Sequence, residues 1–434
     1  MQKRPINNKQ KTVSFHTLGC RLNFSETGSM AQEFEKRGYE IKDFGEQTDV
    51  TFINTCTVTD SADSSCRNQI RKAHKYSPEG KIVVAGCYSQ MEPETISKMK
   101  GVDLVLGTSE KYKVFDYLDE DDINKIKIEK SNEFWGAATS LSDSHTRAFL
   151  KIQDGCNYVC SFCIIPFARG RSRTITIKDA VTKAHEVVDQ GFKEIVLTGV
   201  NIGEYENISG EKLSDLFSEI EKIKGLKRIR LSSVEPNTFT DDLIEVLKKS
   251  DKFLNHFHIP LQSGDDAILK DMRRKYDTSM YKELVHRLSE EFPGSAFGAD
   301  IIAGYPGESA EQFEKTYNFA SELPLTHFHV FPYSKRKGTS ASKLDNHIPH
   351  HVKKERVHSL IDLGREKLAN FSKSQLHSKN KVLFEKRNKA GLFEGYTSNF
   401  LRVKLDSDLD LSNEIGEVYL ESFQDGILEA KLIQ

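Results

Sequence analysis

Between residues 12 and 107 the apolar positions fall into two alternating rhythms. VSFHTLG, VTFINT, KIVVAG and VDLVLG are short runs, largely β-branched, of the kind that fill strands buried on both faces. The stretches between them, 25–37, 61–75 and 92–100, read as helices. Strand and helix in alternation predict an open, doubly wound parallel sheet. The alternation lapses over polar, irregular residues 120–145. It resumes with AFLKIQD, KEIVLTG, RIRLSS, FHIPLQ, AFGADIIAG and HFHVFPY. Helices are predicted between these strands over 178–190, 213–222, 241–249, 279–291 and 310–323. Six such units predict a barrel-like sheet, complete or partial, with its chemistry at the carboxyl ends of the strands. Residues 351–376 read as one long basic helix. KVLFEKR, YTSNFLRVKL, IGEVYLESF and ILEAKLI then read as strands, with Gly391, Gly395, Gly416 and Gly426 at or near turns. A compact all-β barrel is the simplest form for that last segment.

The expected class is therefore α/β with a small all-β appendage. The expected domains are 12–120, a linker over 121–145, then 146–375 and 376–434. The acidic run DYLDEDD, residues 116–122, leads into the start of the linker. No apolar run approaches the ~20 residues of a membrane helix. The N-terminal MQKRPINNKQK has no apolar core of a signal peptide. A cytoplasmic protein without a membrane partner is expected. The net charge of −2 hides a local bias: residues 351–404 hold 13 Lys and Arg against 5 Asp and Glu. Such a bias points to a polyanion, nucleic acid above all, although a solvated helix face accounts for the charge equally well.

Cysteine placement changes the picture most. There are seven, Cys20, Cys56, Cys66, Cys87, Cys156, Cys160 and Cys163. In a reducing compartment, clustered thiols are metal ligands or catalysts rather than bridges. Cys20, Cys56 and Cys87 each follow one of the first strands, in LGC, NTC and AGC, so a parallel sheet brings them to one rim. Cys66 falls inside a predicted helix with no partner at ligand spacing, and reads as a small buried residue. Cys156, Cys160 and Cys163 lie within eight positions, at C-x3-C-x2-C spacing, after the strand AFLKIQD. A closed zinc site wants four ligands. A four-iron, four-sulfur cluster held by three thiolates keeps one iron open.

That spacing at a strand end resembles the radical S-adenosylmethionine superfamily, whose open iron chelates S-adenosylmethionine. The resemblance goes further. LGCRLNFSET, INTCTVT and AGCYSQ are similar to the N-terminal domain of the methylthiotransferases. KIQDGCNYVCSFCIIPFARGRSRT, LTGVNIGEY, HIPLQSGDDAIL and DIIAGYPGE are similar to their radical domain. The C-terminal strands resemble their TRAM domain, an RNA-binding barrel. The resemblance implies a transferase with two [4Fe-4S] clusters: an auxiliary one on Cys20, Cys56 and Cys87, and a radical-generating one on Cys156, Cys160 and Cys163. One S-adenosylmethionine gives its methyl group to sulfur, and a second gives the radical that abstracts hydrogen from an unactivated carbon. Gly199, Glu235, Gln262, Ser263, Arg273 and Gly304 are candidate S-adenosylmethionine contacts, with Gly307 in the same glycine-rich stretch; each reads equally as a turn residue or surface ion pair. His256 and His258, and His327 and His329, each share a strand face and read as core histidines.

Three substrate classes exist among the methylthiotransferases. RAFLKIQDGCNYVCSFCIIPFARGRSR most resembles the MtaB type, which acts on C2 of N6-threonylcarbamoyladenosine at position 37 of tRNA. The alternatives are isopentenyladenosine-37 and a ribosomal-protein aspartate. Implied partners are a tRNA anticodon stem-loop, an electron donor of flavodoxin or ferredoxin kind, and a sulfur source. A non-enzymatic iron-sulfur protein, binding RNA or transferring electrons, would need fully ligated clusters, and neither triplet has a fourth cysteine. Arg169, Arg171 and Arg173 are candidates either for phosphate contact or for reading the threonyl carboxylate.

Overall fold

Thr12–Thr17, Val50–Thr55, Lys81–Gly86 and Leu104–Leu106 form the centre of one parallel sheet, as their apolar runs require. The structure is a computed structural model that describes residues 10–118, 126–128, 133–136 and 146–433. It divides into two units, Met1–Asp143 with Ile164–Arg171, and Ser144–Cys163 with Ser172–Gln434. Each is taken in turn.

In the first unit the sheet is completed by two edge strands that the sequence pattern did not announce, Glu40–Lys42 and Ile126–Lys127. At three and two residues they are too short to show a period. The second lies inside the segment expected to be a linker. The rest of that linker, apart from 128 and 133–136, and the acidic residues 119–122, lie outside the described residues. Both sheet faces are covered. Val13, Phe34, Phe52, Val83 and Leu106 pack on one side, and Ile53, Ile70, Val84, Tyr88 and Ile96 on the other. The helix Arg21–Lys36 starts four residues earlier than expected. The helix Asp60–Tyr76 is capped by Thr59, whose hydroxyl accepts from the Ala62 N–H. The helix expected over 92–100 is two short ones, Cys87–Met91 and Pro93–Ser97. Pro93 supplies no N–H and forces Glu92 out of helical geometry, so the chain breaks there.

In the second unit six parallel strands follow in chain order: Ala148–Lys151, Glu194–Thr198, Arg228–Leu231, His256–His258, Ala296–Ala303 and His327–Pro332. They form two three-stranded sheets joined by an Ile229–Phe253 bridge and a Val234 N–H to His258 carbonyl bond of 3.0 Å. The result is a partial barrel. Its helices, Ile177–Asp189, Leu213–Glu221, Asp241–Lys249, Thr278–Glu291 and Ala310–Glu322, match expectation to within one residue at either end. The long helix is His350–Ser374. Beyond it, Lys379–Phe384, Phe393–Tyr396, Arg402–Leu405, Ile415–Gln424 and Ile427–Leu432 close into a five-stranded barrel. The run YTSNFLRVKL is not one strand, because it turns through Phe400 at φ +63°.

The small barrel is tied to the larger one by buried charge. Arg228 and Arg230 both pair with Glu194, at 2.8 and 3.1 Å, and donate to the carbonyls of Tyr396, Thr397 and Ser398. Burial alone would raise the Glu194 carboxyl, but Arg228 and Arg230 together hold it down to about 2. Among the described residues no helix is long and apolar enough to cross a membrane.

Candidate functional site

The first cysteine triplet is assembled by strand register. Thr12–Thr17, Val50–Thr55 and Lys81–Gly86 are adjacent, with Thr17 beside Asn54 and Thr55 beside Gly86. Cys56 and Cys87 immediately follow their strands, and Cys20 comes three residues past its own. Two glycines make room. Gly19 has φ +102°, and a Cβ there would stand 2.6 Å from Cys56 Cβ and 2.9 Å from its sulfur. Gly86 has φ +103°, and a Cβ there would meet the Asn54 side chain at 2.6 Å. Burial pushes the Cys56 thiol up to about 12, with Cys20 and then Cys87 adding to it. Three thiols in electrostatic contact, at least two of them buried, are poor company as free thiolates. A metal in place of their protons resolves the conflict, so these side chains fit a thiolate-held cluster. Cys66 is fully buried beneath them, and its S–H donates to the Cys56 carbonyl at 3.3 Å.

Arg169 overturns its reading from sequence. Its side chain is 1 % exposed within the first unit. Nε donates to Cys87 Sγ at 3.2 Å, Nη1 to Glu26 Oε1 at 2.9 Å, and Nη2 to Asn23 Oδ1 at 2.7 Å. Lys111 also pairs with Glu26. A guanidinium so enclosed reaches neither a phosphate nor a threonyl carboxylate. It instead gives Cys87 a charged donor, and pulls its thiol down against the burial that raises it. Arg171 is exposed, and Arg173 pairs with Asp154 at 2.9 Å.

The second triplet lies on the loop after Gln153–Asp154. Cys156 Sγ accepts from the Tyr158 N–H at 3.3 Å, and the Cys163 N–H donates to the Cys160 carbonyl at 3.1 Å. The loop is held by Ser161, whose hydroxyl meets that of Tyr305 at 2.8 Å and whose N–H donates to the Met272 carbonyl. Burial pushes the Cys156 thiol well up, and the neighbouring Glu204, Cys163 and Cys160 push the same way. Cys160 Sγ accepts from Arg274 Nη1 at 3.1 Å, while Arg274 also pairs with Glu235 and lies over the Tyr276 ring. The structure thus sets Arg274 at this position, whereas the expected Arg273 is exposed with φ +59°. The two are adjacent and alike in charge, so only the backbone turn distinguishes them.

The other expected contacts separate. Gly199 packs against Gln153, since a Cβ there would stand 2.8 Å from Oε1. That oxygen accepts from the N–H groups of Val200 and Asn201, and Nε2 of the same side chain donates to the Gly155 carbonyl. Gln153, to which the sequence assigned no place in the site, therefore ties the cysteine loop to the next strand end. Gln262 holds φ +64° and gives its N–H to the Asp300 carbonyl at 2.8 Å. Ser263 is fully buried with its hydroxyl against that of Thr316, an internal role. Gly304, at φ +76°, donates its N–H to Glu308 Oε2, and a Cβ there would meet Lys353 at 2.3 Å. Gly307, at φ +84°, lies against Asn346.

Comparison with known proteins adds what geometry leaves open. Residues 12–107 match the family model described as "Uncharacterized protein family UPF0004", and 150–320 match the radical SAM superfamily. The chain is 41% identical to the threonylcarbamoyladenosine tRNA methylthiotransferase MtaB of Bacillus subtilis, over 94% of this chain and 93% of that one. It is 37% identical to the MtaB of Aquifex aeolicus, over 90% of this chain and 96% of that one. The chain belongs to the threonylcarbamoyladenosine tRNA methylthiotransferase family. It is a radical S-adenosylmethionine transferase, and works with a [4Fe-4S] cluster and S-adenosylmethionine. The tRNA-2-methylthio-N(6)-dimethylallyladenosine synthase of Fusobacterium nucleatum is further off, at 33% over 98% of this chain and all of that one. Among solved structures, the radical S-adenosylmethionine methyltransferase TsrM from Kitasatospora setae superposes with a TM-score of 0.56 at 16% identity, covering 77% of each chain. The cobalamin-dependent radical enzyme OxsB gives 0.52 at 14%, over 81% of this chain and 56% of that one. Both speak to the fold alone.

Proposed function

We propose that this chain methylthiolates C2 of N6-threonylcarbamoyladenosine at position 37 of tRNA, in the cytoplasm. The observation that carries this is 41% identity along nearly the whole length of a relative named for that substrate. An aromatic C–H has no useful acidity, so acid-base chemistry alone does not open it. When bound, two clusters and S-adenosylmethionine supply the sulfur, the methyl group and the radical. The chain's own residues hold them. Cys156, Cys160 and Cys163 would ligate the radical cluster, with Arg274 donating to Cys160. Cys20, Cys56 and Cys87 would ligate the auxiliary cluster, with Arg169 donating to Cys87. Gln262, Gly304 and the Glu235–Arg274 pair remain candidates for the S-adenosylmethionine side.

The domains are proposed as 12–120, 146–375 and 376–434, the first drawing its last strand from 126–127. The tRNA anticodon stem-loop would meet the exposed cations Lys379, Lys381, Lys386, Arg387 and Lys389 of the small barrel. That face is local, because after Lys404 the chain has eight carboxylates and one lysine. A flavodoxin- or ferredoxin-like reductant and a separate sulfur source complete the partners.

Anaerobic reconstitution tests the cluster assignment. About eight irons are expected, falling to about four when Cys20, Cys56 and Cys87 are all replaced by Ala, because each cluster carries four. That variant should still form 5′-deoxyadenosine but attach no sulfur. Nucleoside mass analysis of tRNA from cells lacking the gene tests the substrate. Loss of the methylthio group from isopentenyladenosine instead of threonylcarbamoyladenosine would refute it.

A further inference from the structure

We propose that Asp300 and His329, backed by His258, form a proton-donating dyad against the purine ring of the substrate, with His329 the residue that touches it. This rests on the tRNA-adenosine reading above and adds the residues that meet the base.

Strand register puts the three side chains on one face. His258 pairs with Gly298, and two residues on, Asp300 pairs with His329. Gly298 makes the arrangement fit, because a Cβ there would stand 2.8 Å from His258 Cδ2. With no side chain in between, both imidazoles converge on one carboxylate oxygen. Asp300 Oδ1 is 3.2 Å from His258 Nε2 and 3.2 Å from His329 Nδ1. His258 is held from behind, its Nδ1 being 2.6 Å from Ser233 Oγ. Side-chain exposure rises from 11 % at His258 through 23 % at Asp300 to 56 % at His329.

This is the arrangement of an acid-base dyad. A half-buried carboxylate orients one ring nitrogen, and the other nitrogen is left for the reactant. Burial raises the Asp300 carboxyl, but His258 and then His329 more than reverse that, so it stays ionised. Neighbouring His327 is pushed down to about 4 by burial and then by His329, His258 and Arg230. It is neutral near pH 7 and does not compete for the carboxylate. Further along the face, Arg230 is engaged by Glu194.

The strand ends nearby have unpaired polar atoms. Thr198 Oγ1, both polar atoms of the Asn201 side chain and Ser232 Oγ are buried without a hydrogen-bond partner among the described residues. Such atoms cost stability unless a ligand meets them, and they supply the donors and acceptors that a purine edge needs. The reacting carbon of adenine lies between two ring nitrogens. A hydrogen bond donated from His329 Nε2 to one of them would orient the ring and polarise that carbon, while its hydrogen leaves to the radical as 5′-deoxyadenosine. The dyad forms no covalent bond.

The test uses reconstituted full-length protein. His329→Gln should slow methylthiolation about 100-fold, the lower range for a positioned acid. Iron content, and tRNA affinity to within twofold, should be preserved. His329→Gly should recover at least tenfold when free imidazole is added, a rescue that a packing role does not allow. Asp300→Asn, which misorients the ring, should lose activity without rescue. The proposal is overturned if His329→Gln keeps most of its rate, or loses tRNA affinity by the same factor. It is also overturned if Mn2+, followed by its own magnetic resonance signal, binds one per chain in the native protein and not in His329→Gln. The three ligand atoms lie within 4.8 Å of one another, so that result would make the site a metal centre. An unmodified protein inert toward threonylcarbamoyladenosine tRNA would overturn the underlying reading instead.

Discussion

Arg169 and Arg171 are two residues apart in an RGR run, yet one is buried on Cys87 and the other faces water. Nothing local separates them; the contrast comes from Glu26, Asn23 and Lys111, all distant in sequence. Glu26 would keep Lys111, but removing the guanidinium leaves Asn23 Oδ1 and one Glu26 oxygen short of a buried donor, at a cost of about 1–3 kcal/mol. Arg169→Leu should therefore lower unfolding free energy by that order. It should also cut reconstituted iron to about half, since the proposed auxiliary cluster, one of two in the proposed function, loses its charged donor. Arg171→Leu should do neither. Denaturant titration and iron analysis check both. The six clustered cysteines could be proposed as ligands from sequence because thiol chemistry restricts their uses. The arginines and histidines were not legible, because the same side chain serves as ion pair, phosphate contact or acid according to burial. His258 and His329 read as core residues until Asp300 is seen between them.

The helices were legible where capping and periodicity agreed, as at Asp241–Lys249, and misread where a single residue intervened, as at Pro93. The strand ends matter more, because they carry function. Arg228 and Arg230 end in a joint with Glu194 that no periodicity reveals. A carboxyl held down at about 2 contributes stability that is fully present above the ordinary carboxylate range. That contribution is lost as the pH falls through about 2. Glu194→Gln should therefore destabilise the native protein by about 3 kcal/mol near pH 7, where two buried cations lose their partner. The gap between variant and native protein should narrow below pH 4 and close near pH 2. Denaturant titrations across that range provide the measurement, and a gap independent of pH would count against the ion pair.

Deleting the small barrel is a poor test of RNA binding, because Leu368 and Phe371 of the long helix pack into its core and Arg228 and Arg230 cap its turn. Replacing Lys379, Lys381, Lys386, Arg387 and Lys389 by Glu keeps that packing. The variant should bind tRNA more weakly, and its affinity should fall less steeply with salt, by roughly 0.7–0.9 in logarithmic slope per lost phosphate contact. An unchanged slope from filter binding at several salt concentrations would move the RNA face elsewhere. Order along the chain was enough to establish the doubly wound sheet, the partial barrel and the closing β barrel, and to propose the two thiol triplets. Local period sets element type, and parallel strands must deliver their ends to one rim. Tertiary structure alone decided which arginine serves Cys87, which one reaches Cys160, and that His258, Asp300 and His329 meet. Those outcomes depend on register between strands and on the glycines at 19, 86 and 298, where the lack of a side chain lets distant residues touch.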